Sequence, residues 1–380
     1  MDFTLTEEQE QLRALARTWV EREVMPYATE WDRAEQVDPG IIKRLGDVGF
    51  LGLGIAEEYG GSGGDMLAYC LVMEELGRGD SSVRGIVSVS LGLVAKSIQR
   101  WGTEEQKHRW LPGLCAGELL GCFGLTEPDA GSDAAAQKTT AVRDGDFYVI
   151  NGAKNWITNG TRADAIVLFA MTNKEAGHRG ISAFIVDLNT PGVTRAPADR
   201  KLGINASESC SLYFENVRVP AKNLLGKEGE GFKVAMSTLD GGRIGIAAQA
   251  VGIARAAYEA ALAYAKQRKS FGKPIAEHQA IAFMLADMAT DIDAARLLVL
   301  RAAALKDQGV RHTAESSMAK LYASEMSHRV THKALQIHGG YGYSKEFDVE
   351  RYYRDSRITE IYEGTSEIQR IVISANLLKA

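Results

Sequence analysis

Glu363 stands in the run RITEIYEGTSEIQR, between Tyr362 and Gly364, with Ile358, Ile361, Ile368 and Ile371 nearby. A carboxylate in such company loses water, and burial disfavours its charged form. A carboxyl that holds its proton more tightly than usual is a base usable near neutral pH. Gly364 lets another molecule approach the backbone closely. The competing reading is a surface glutamate ahead of a helix whose N-cap is Thr365. Four other segments carry residues with chemistry. CFGLTEPDAGSDA, Cys122–Ala134, is a Gly-containing turn with Thr126, Ser132 and free backbone amides, suited to a polar or anionic edge. NWITNG, Asn155–Gly160, sets Trp156 beside a hydroxyl, a flank for a flat ring, although a lone tryptophan is more often core. QRKSFGKPIAEHQ, Gln267–Gln279, ends a helix with Arg268 and Lys269, where cations are favoured and where they can also grip a diphosphate. QIHGGYGY, Gln336–Tyr343, holds a glycine pair open to close approach by a ligand.

Other signatures are missing or misleading. No GxGxxG follows a strand and no GxxxxGK[ST] occurs, which argues against a nicotinamide-type Rossmann domain and against a P-loop enzyme. Gly60–Gly64 matches G-x-S-x-G around Ser62, but a nucleophile elbow needs a strand before it and a helix after it. With helical surroundings and glycines on both sides, the run reads as a loop. His328 and His332 share a helix face with no third ligand nearby, so a packed helix pair is expected and no metal site.

The elements that must carry these residues follow from periodicity. Up to about Gly121 the pattern is helical. Thr6 and Gln9 form a capping box, and Asp80 with Ser81 and Ser82 can cap a helix running to about Trp101. The middle third changes to short β-rich runs: Phe147–Ile150 between two Asx-Gly turns, Ala165–Thr172, Gly180–Leu188 and Ser209–Phe214. These predict a compact β domain, a barrel or sandwich. Long helices then return over Arg243–Arg268, Gln279–Gln308 and Thr313–Ile337, a bundle pattern. The order is α, β, α, with domains expected at 1–120, 121–228 and 229–380.

The 380 residues are 45% hydrophobic, enough for a large core, and the formal net charge of −5 without a basic block argues against nucleic-acid binding. Cys70, Cys115, Cys122 and Cys210 show no CxxC spacing, so neither zinc nor a disulfide framework is indicated and a reducing compartment fits. The acidic, amphipathic start MDFTLTEEQEQL is unlike a signal or transit peptide, and no apolar run of about 18 residues is evident, so a cytoplasmic protein with no membrane span is expected.

Taken together, LTEP-x-x-GSD, WITN, R-x-x-FG, Q-x-x-GG and YEGT, in this order and over essentially the whole chain, closely resemble the acyl-CoA dehydrogenases. The resemblance implies a mainly α fold with a helical N-terminal domain, a middle β-barrel and a C-terminal four-helix bundle. It implies FAD, an acyl-CoA substrate, a homotetramer built as a dimer of dimers, and electron-transfer flavoprotein as electron acceptor. Glu363 then resembles the base that takes the α-proton, with Tyr362 and Gly364 lining the thioester. Phe123, Leu125, Thr126, Gly131, Ser132, Trp156, Ile157 and Thr158 match flavin-contacting positions, Ser132 also matching a substrate contact. Arg268, Phe271, Ile275, Gln279, Gln336, Gly339 and Gly340 match positions that hold the cofactor's diphosphate and adenosine from the neighbouring subunit. Thr365 and Glu367 match adenosine-side positions of the same chain. Leu239, Asp240 and Arg243 in LDGGR resemble the CoA-binding run. Isovaleryl- and long-chain-type relatives carry their base just before that arginine, where this chain has Gly242, which leaves Glu363.

LDGGRIGIAAQAVGIA and RITEIYEGTSEIQR look most like the short-chain, butyryl-type members. Arg84 and Ser88, i and i+4 in SSVRGIVSVS, instead resemble the Arg-x-x-x-Ser with which glutaryl-CoA dehydrogenases hold a distal carboxylate, a group for which arginine is the natural receptor. Set against that is a solvated or salt-bridged arginine early in a helix. An acyl-CoA oxidase, with oxygen as acceptor, is the remaining enzymatic alternative. A DNA-protecting relative would show a basic surface and a lost base, and this chain has neither.

Overall fold

The structure, a computed structural model, describes residues 4–378. The first helices are α1 (Glu7–Glu23), α2 (Ala28–Ala34), α3 (Ile41–Asp47), α4 (Met66–Gly79), α5 (Ser81–Val87), α6 (Lys96–Trp101) and α7 (Glu104–Cys115). Thr6 opens α1 through the expected capping box with Gln9, and Thr103 with Gln106 repeats the device at α7. Asp80 caps α5 by accepting from the Val83 N–H. The helical run from Ser81 to Trp101 is not uniform. Residues Ser88–Ala95 form a π-helical stretch between α5 and α6, a distortion that recurs at functional sites. By length and composition Ser81–Trp101 is apolar enough to cross a bilayer, contrary to the sequence expectation, but 78% of its most apolar window is buried inside the fold.

Eight strands follow: β1 (Gly121–Gly124), β2 (Thr140–Asp144), β3 (Phe147–Thr158), β4 (Ala165–Met171), β5 (Ile181–Asp187), β6 (Val193–Arg195), β7 (Ser209–Pro220) and β8 (Leu224–Leu225). They form one sheet in the order β6-β7-β3-β2-β4-β5-β8, with β1 parallel to β4. β6 and β8 are the ends of that path, so the ring is not closed by backbone pairing. The strands nevertheless enclose their own core, built from Tyr148, Ile150, Ile166, Leu168, Phe184, Val186, Leu212 and Phe214. Alternation along β4 explains the join to the helices. Ile166, Leu168 and Ala170 face that interior, while Ala165, Val167 and Phe169 belong to the large helical core.

The last third is α8 (Gly231–Gln267), α9 (Gln279–Asp307), α10 (Thr313–His338), α11 (Val349–Ser356) and α12 (Ser366–Leu377), with a hairpin of β9 (Lys269–Ser270) and β10 (Lys273–Pro274) between α8 and α9. α8, α9 and α10 pack on one another and α12 packs on α10. α4 also lies along α8, where small residues let backbones approach: a Cβ at Gly252 would stand 2.2 Å from the Glu74 carbonyl oxygen. α8 is therefore the spine shared by the first and last helical groups.

Candidate active site

The turn before α12 is shaped by two successive residues in the left-handed region, Glu363 at φ 52° and Gly364 at φ 95°. A non-glycine residue there is uncommon and must be held in place. Two fully buried side chains hold it. The Lys320 ammonium of α10 donates to the Gly364 carbonyl at 2.7 Å, and the Gln369 amide donates to the same oxygen at 2.8 Å and to the Glu363 carbonyl at 3.3 Å. Thr365 caps α12 through the Ile368 N–H, so the helix-start reading is right about the cap. It is wrong about the glutamate. The residue is half-buried, but its Oε2 is enclosed and has no hydrogen-bond partner among the described residues. The Glu363 N–H likewise has no acceptor among the described residues.

The carboxyl turns toward α8. A Cβ on Gly242 would stand 1.9 Å from Glu363 Oε2, so the space a side chain would take at position 242 is the space the carboxylate uses. Burial pushes the Glu363 carboxyl above the usual range, and the positive charges of Arg84, Lys320 and Arg243 pull it part of the way back. Lys320 is itself lowered to about 8 by burial. The Tyr362 hydroxyl donates to Gln249 of α8 and is raised to about 12 by burial.

Arg84 fits neither of its bland readings. It is 1% exposed and, among the described residues, forms no ion pair and leaves Nε and Nη2 without hydrogen-bond partners. A buried charge of this kind is costly unless something pairs with it. Tyr69 of α4 shares its neighbourhood: a Cβ on Gly245 would meet Arg84 Nη2 and Tyr69 Cε1, each at 3.1 Å. Ser88, 2% exposed, also adjoins Tyr69 and begins the π-helical stretch. Arg243 pairs with Asp240 at 2.6 Å, Asp240 also accepts from the Thr313 hydroxyl at 3.1 Å, and Leu239 is half-buried on the same helix.

The sequence singled out most of these positions but missed Lys320, Gln369, Gln249 and Tyr69. Lys320 was legible: it is the one cation in a run of small buried residues, Ser316, Ser317, Ala319, Ala323 and Ser324.

A buried lysine ties the segments of Thr126 and Trp156 together. Lys154, fully buried, donates to the Leu125 carbonyl at 3.2 Å, to Glu127 at 2.7 Å and to Gln137 at 3.0 Å. The Asn155 N–H adds a bond to the Thr126 carbonyl at 2.9 Å. Burial lowers Lys154 to about 8, while Lys154 and the neighbouring amides hold Glu127 below its usual value. A bulge between Lys154 and Ile157 then turns Trp156 out at φ 58°, leaving it 58% exposed rather than in the core. Thr158 and Phe123 are half-buried, Leu125 and Ile157 buried, and Gly131 and Ser132 exposed, with no atom within 4 Å of a Cβ on Gly131. An open platform with a presented indole, hydroxyls and free amides fits a flat, polar-edged cofactor such as a flavin.

The second group of candidate cofactor positions lies elsewhere. Arg268 caps α8, its guanidinium 5.6 Å from the Tyr341 ring, and Phe271 is 94% exposed at φ 52°. Gln279, Gln336, Gly339, Gly340 and Glu367 are exposed, and Ile275 and Thr365 half-buried. The stretch of α8 from Gly242 to Gln267 is about 38 Å long at 1.5 Å per residue. The Arg268–Phe271 group is therefore not brought to Glu363 within one chain. Ser62 bonds the Gly49 carbonyl in a loop and His328 and His332 flank the Tyr353 ring, so neither forms the site its motif suggested.

Sequence models of the acyl-CoA dehydrogenase N-terminal, middle and C-terminal domains match residues 6–118, 122–217 and 229–378. A short-chain-specific acyl-CoA dehydrogenase of Clostridium acetobutylicum is 49% identical over the full length of both chains. The structure of butyryl-CoA dehydrogenase from Megasphaera elsdenii superposes with a TM-score of 0.98 at 48% identity, covering both chains fully. A structure described under the electron transferring flavoprotein of Acidaminococcus fermentans and flavin-based electron bifurcation does so with a TM-score of 0.99 at 49% identity, again covering both. With all three domain models in order and near half-identity from end to end, this chain belongs to the acyl-CoA dehydrogenase family.

Proposed function

We propose that this protein is an FAD-dependent dehydrogenase of short-chain acyl-CoA thioesters, producing a trans-2-enoyl-CoA, with domains divided at residues 120/121 and 228/229. The observation that carries the reading is the enclosed, unpartnered Oε2 of Glu363. That oxygen takes the α-proton. Its desolvation makes it more basic, while Arg84, Arg243 and Lys320 keep the ionised form accessible. The free Glu363 N–H is a donor for the thioester oxygen, where negative charge develops as the α-proton leaves. Lys320 and Gln369 fix the turn that aims both groups. Asp240 and Arg243 orient the CoA arm, with Ser132 on the β-domain side. FAD, when bound, supplies the two-electron acceptor for the β-hydride. Thr126, Trp156 and Thr158 would hold its ring.

Arg268, Phe271, Gln279 and Gln336 would bind the diphosphate and adenosine of a cofactor seated in another copy, a reading supported by the length of α8 between the two groups. A dimer of dimers satisfies it. The similarity to the structure described with an electron transferring flavoprotein supports such a flavoprotein as the electron acceptor. Anaerobic addition of butyryl-CoA to the yellow holoenzyme should bleach its flavin absorbance. No bleaching with any short-chain thioester would overturn the reading, and rapid peroxide formation in air would move it to an oxidase.

One observation favours a second substrate reading. The bare guanidinium of Arg84, beside Ser88 and within the field of Glu363, suits an acyl group ending in an anion such as a carboxylate. On this reading glutaryl-CoA turns over faster than butyryl-CoA. Arg84→Met then loses about 10²-fold in kcat/KM on glutaryl-CoA, as expected for a lost buried charge-assisted contact, and gains on butyryl-CoA. Absence of glutaryl-CoA turnover by the wild type removes this option.

A further inference from the structure

A second cleft opens beside α8 on another face from the CoA-binding run. At 100° per residue, Ser237, Thr238 and Gly241 point away from Leu239 and Arg243. With Met66, Tyr69, Lys96, Gln99, Arg100, Lys306 and Asp307 they line a cavity of about 510 Å³, a size usual for small-molecule sites. Three cations converge there: Lys96, Arg100 and Lys306. None has a carboxylate oxygen within 4.0 Å among the described residues, although the protein as a whole is acidic. The Lys96 ammonium sits 3.9 Å from the centre of the Tyr69 ring, and Lys306 reaches only the Met66 sulfur at 3.5 Å.

The acceptors in the lining are already engaged. Asp307 receives the Met66 and Leu67 N–H groups and Asp65 receives the Ala68 N–H. Gln99 bridges the Ala56 N–H and the Gly54 carbonyl. Thr238 is shared between Ser97 and the Val234 carbonyl, and Ser237 between the Trp101 indole and that carbonyl. What remains free is donor capacity carrying positive charge. Burial and the charge of Lys306 lower Lys96 to about 7.

We propose that this cleft binds a small phosphorylated metabolite, its phosphoryl group held by Lys96, Arg100 and Lys306. Multiply charged oxyanions match three converging cations, and the volume leaves room for an organic body beyond the phosphate. An entering dianion favours the charged form of Lys96, so binding at mildly alkaline pH takes up protons. The cleft adjoins the catalytic carboxylate: Gly242, which lines it, would meet Glu363 Oε2 with a Cβ, and Tyr69 lies between its Lys96 and the active-site Arg84.

The test is calorimetric titration of FAD-loaded enzyme saturated with crotonyl-CoA, which occupies the phosphate-binding positions of cofactor and substrate. Inorganic phosphate and glycerol 3-phosphate are titrated in buffers of different ionisation enthalpy. One site per chain, proton uptake, and tighter binding of the ester are expected. Equal affinity of the two ligands would overturn the organic body and leave a free-phosphate site. Lys96→Met and Lys306→Met should each weaken binding at least about tenfold, the worth of one charge-assisted contact, with kcat/KM on acyl-CoA unchanged. Protection of Lys96 and Lys306 from acetylation by the ester, read by mass spectrometry on the wild type, tests the same contacts without a variant. No saturable binding, binding indifferent to both substitutions, or binding abolished by crotonyl-CoA would overturn the proposal. Flavin bleaching by butyryl-CoA is read separately, so failure of the dehydrogenase reading would not be mistaken for failure of this one.

Discussion

Two clusters of buried charge flank α8, and they are built on opposite plans. In the first, Glu74 and Glu75 of α4 face Arg255 of α8, with Arg296 of α9 completing the set. Glu74 accepts from Arg255 and Arg296 at 2.6 Å each, and Arg255 also reaches both oxygens of Glu75 at 2.6 Å. In the second, Glu363 has three cations around it and, among the described residues, no hydrogen bond to Oε2, while Arg84 has no ion pair there and Lys320 is committed to a backbone carbonyl. Desolvation raises the pKa of both Glu74 and Glu363. For Glu74 the arginine contacts outweigh it and the net shift is downward; for Glu363 they do not, and the net shift is upward. Contact geometry, more than depth, therefore decides whether a buried carboxylate is inert or reactive. The paired cluster holds three helices together. The unpaired one keeps a reactive oxygen and a cation available to something from outside.

The sharpest way to break this contrast is Glu363→Gln, which keeps the shape and removes the base. Flavin binding and colour should persist, while the rate of anaerobic bleaching by butyryl-CoA falls by about 10⁴-fold, the upper end for a positioned general base. The wild-type kcat/KM should rise with pH as Glu363 ionises. Its acid limb should lie above the ordinary glutamate value of 4.5 because burial raises that carboxyl. Retained bleaching in the variant would move the base elsewhere.

The mirror experiment is Glu74→Gln. Arg255 and Arg296 then lose their shared carboxylate, and breaking one side of a buried pair costs about 3–5 kcal/mol. Denaturant unfolding should show that loss, with activity per folded molecule unchanged. A stable variant with lost turnover would mean that the paired cluster takes part in the chemistry.

Gly242→Ala sharpens the comparison at intermediate size. A methyl group 1.9 Å from Glu363 Oε2 must displace the carboxylate. A shift of about 1 Å in a catalytic group can cost on the order of 10²-fold. The expected result is that drop in kcat with little change in melting temperature, because the displaced group has no hydrogen bond to lose.

The contrast between the clusters also explains what could be read from the residues alone. Glu363 was legible because its neighbours in sequence are informative, an aromatic before it and a glycine after it, whereas Arg84 and Arg243 were reached only through the resemblance of their runs to those of known acyl-CoA dehydrogenases. The α-β-α order was legible because periodicity and Asx-Gly turns are local signals. Gln369 and Lys154 were not singled out because their meaning is tertiary, and Lys320, an odd cation among small residues, shows its partner only in the fold. Lys320 serves a carbonyl 44 residues away, and Lys154 joins the Leu125–Glu127 loop to β3 across a gap of 27 residues. The π-helical turn at Ser88 was invisible for a related reason: apolar spacing over a short stretch does not distinguish it from an α-helix. Trp156 was ambiguous because its exposure depends on a bulge in the pairing of β3 with β7, and register is not written in one strand.

The smallest effect, read per pH unit, concerns a carboxylate intermediate between the two plans. Asp355 of α11 is buried, and among the described residues its carboxylate accepts one hydrogen bond, from the Ile204 N–H at 2.5 Å. Ile204 sits at φ 44°, a strained conformation for a β-branched residue, so this bond clamps the β domain onto α11, a few residues ahead of Glu363. Burial and the nearby Asp80 push Asp355 up to about 7, while the Ile204 amide and Arg351 act against the rise, and Asp32 adds to it. The raised pKa means that the folded chain keeps a proton that the unfolded chain has released. Between the ordinary aspartate value of 3.8 and about 7, stability therefore falls as pH rises, by at most about 1.4 kcal/mol per unit. Asp355→Asn keeps an oxygen for the Ile204 N–H and abolishes the charge, so it should flatten that slope and leave the variant more stable than the wild type above pH 7. A slope unchanged in Asp355→Asn would assign the titration to Asp80, which faces the same pocket, and would make Asp355 a member of the paired class after all.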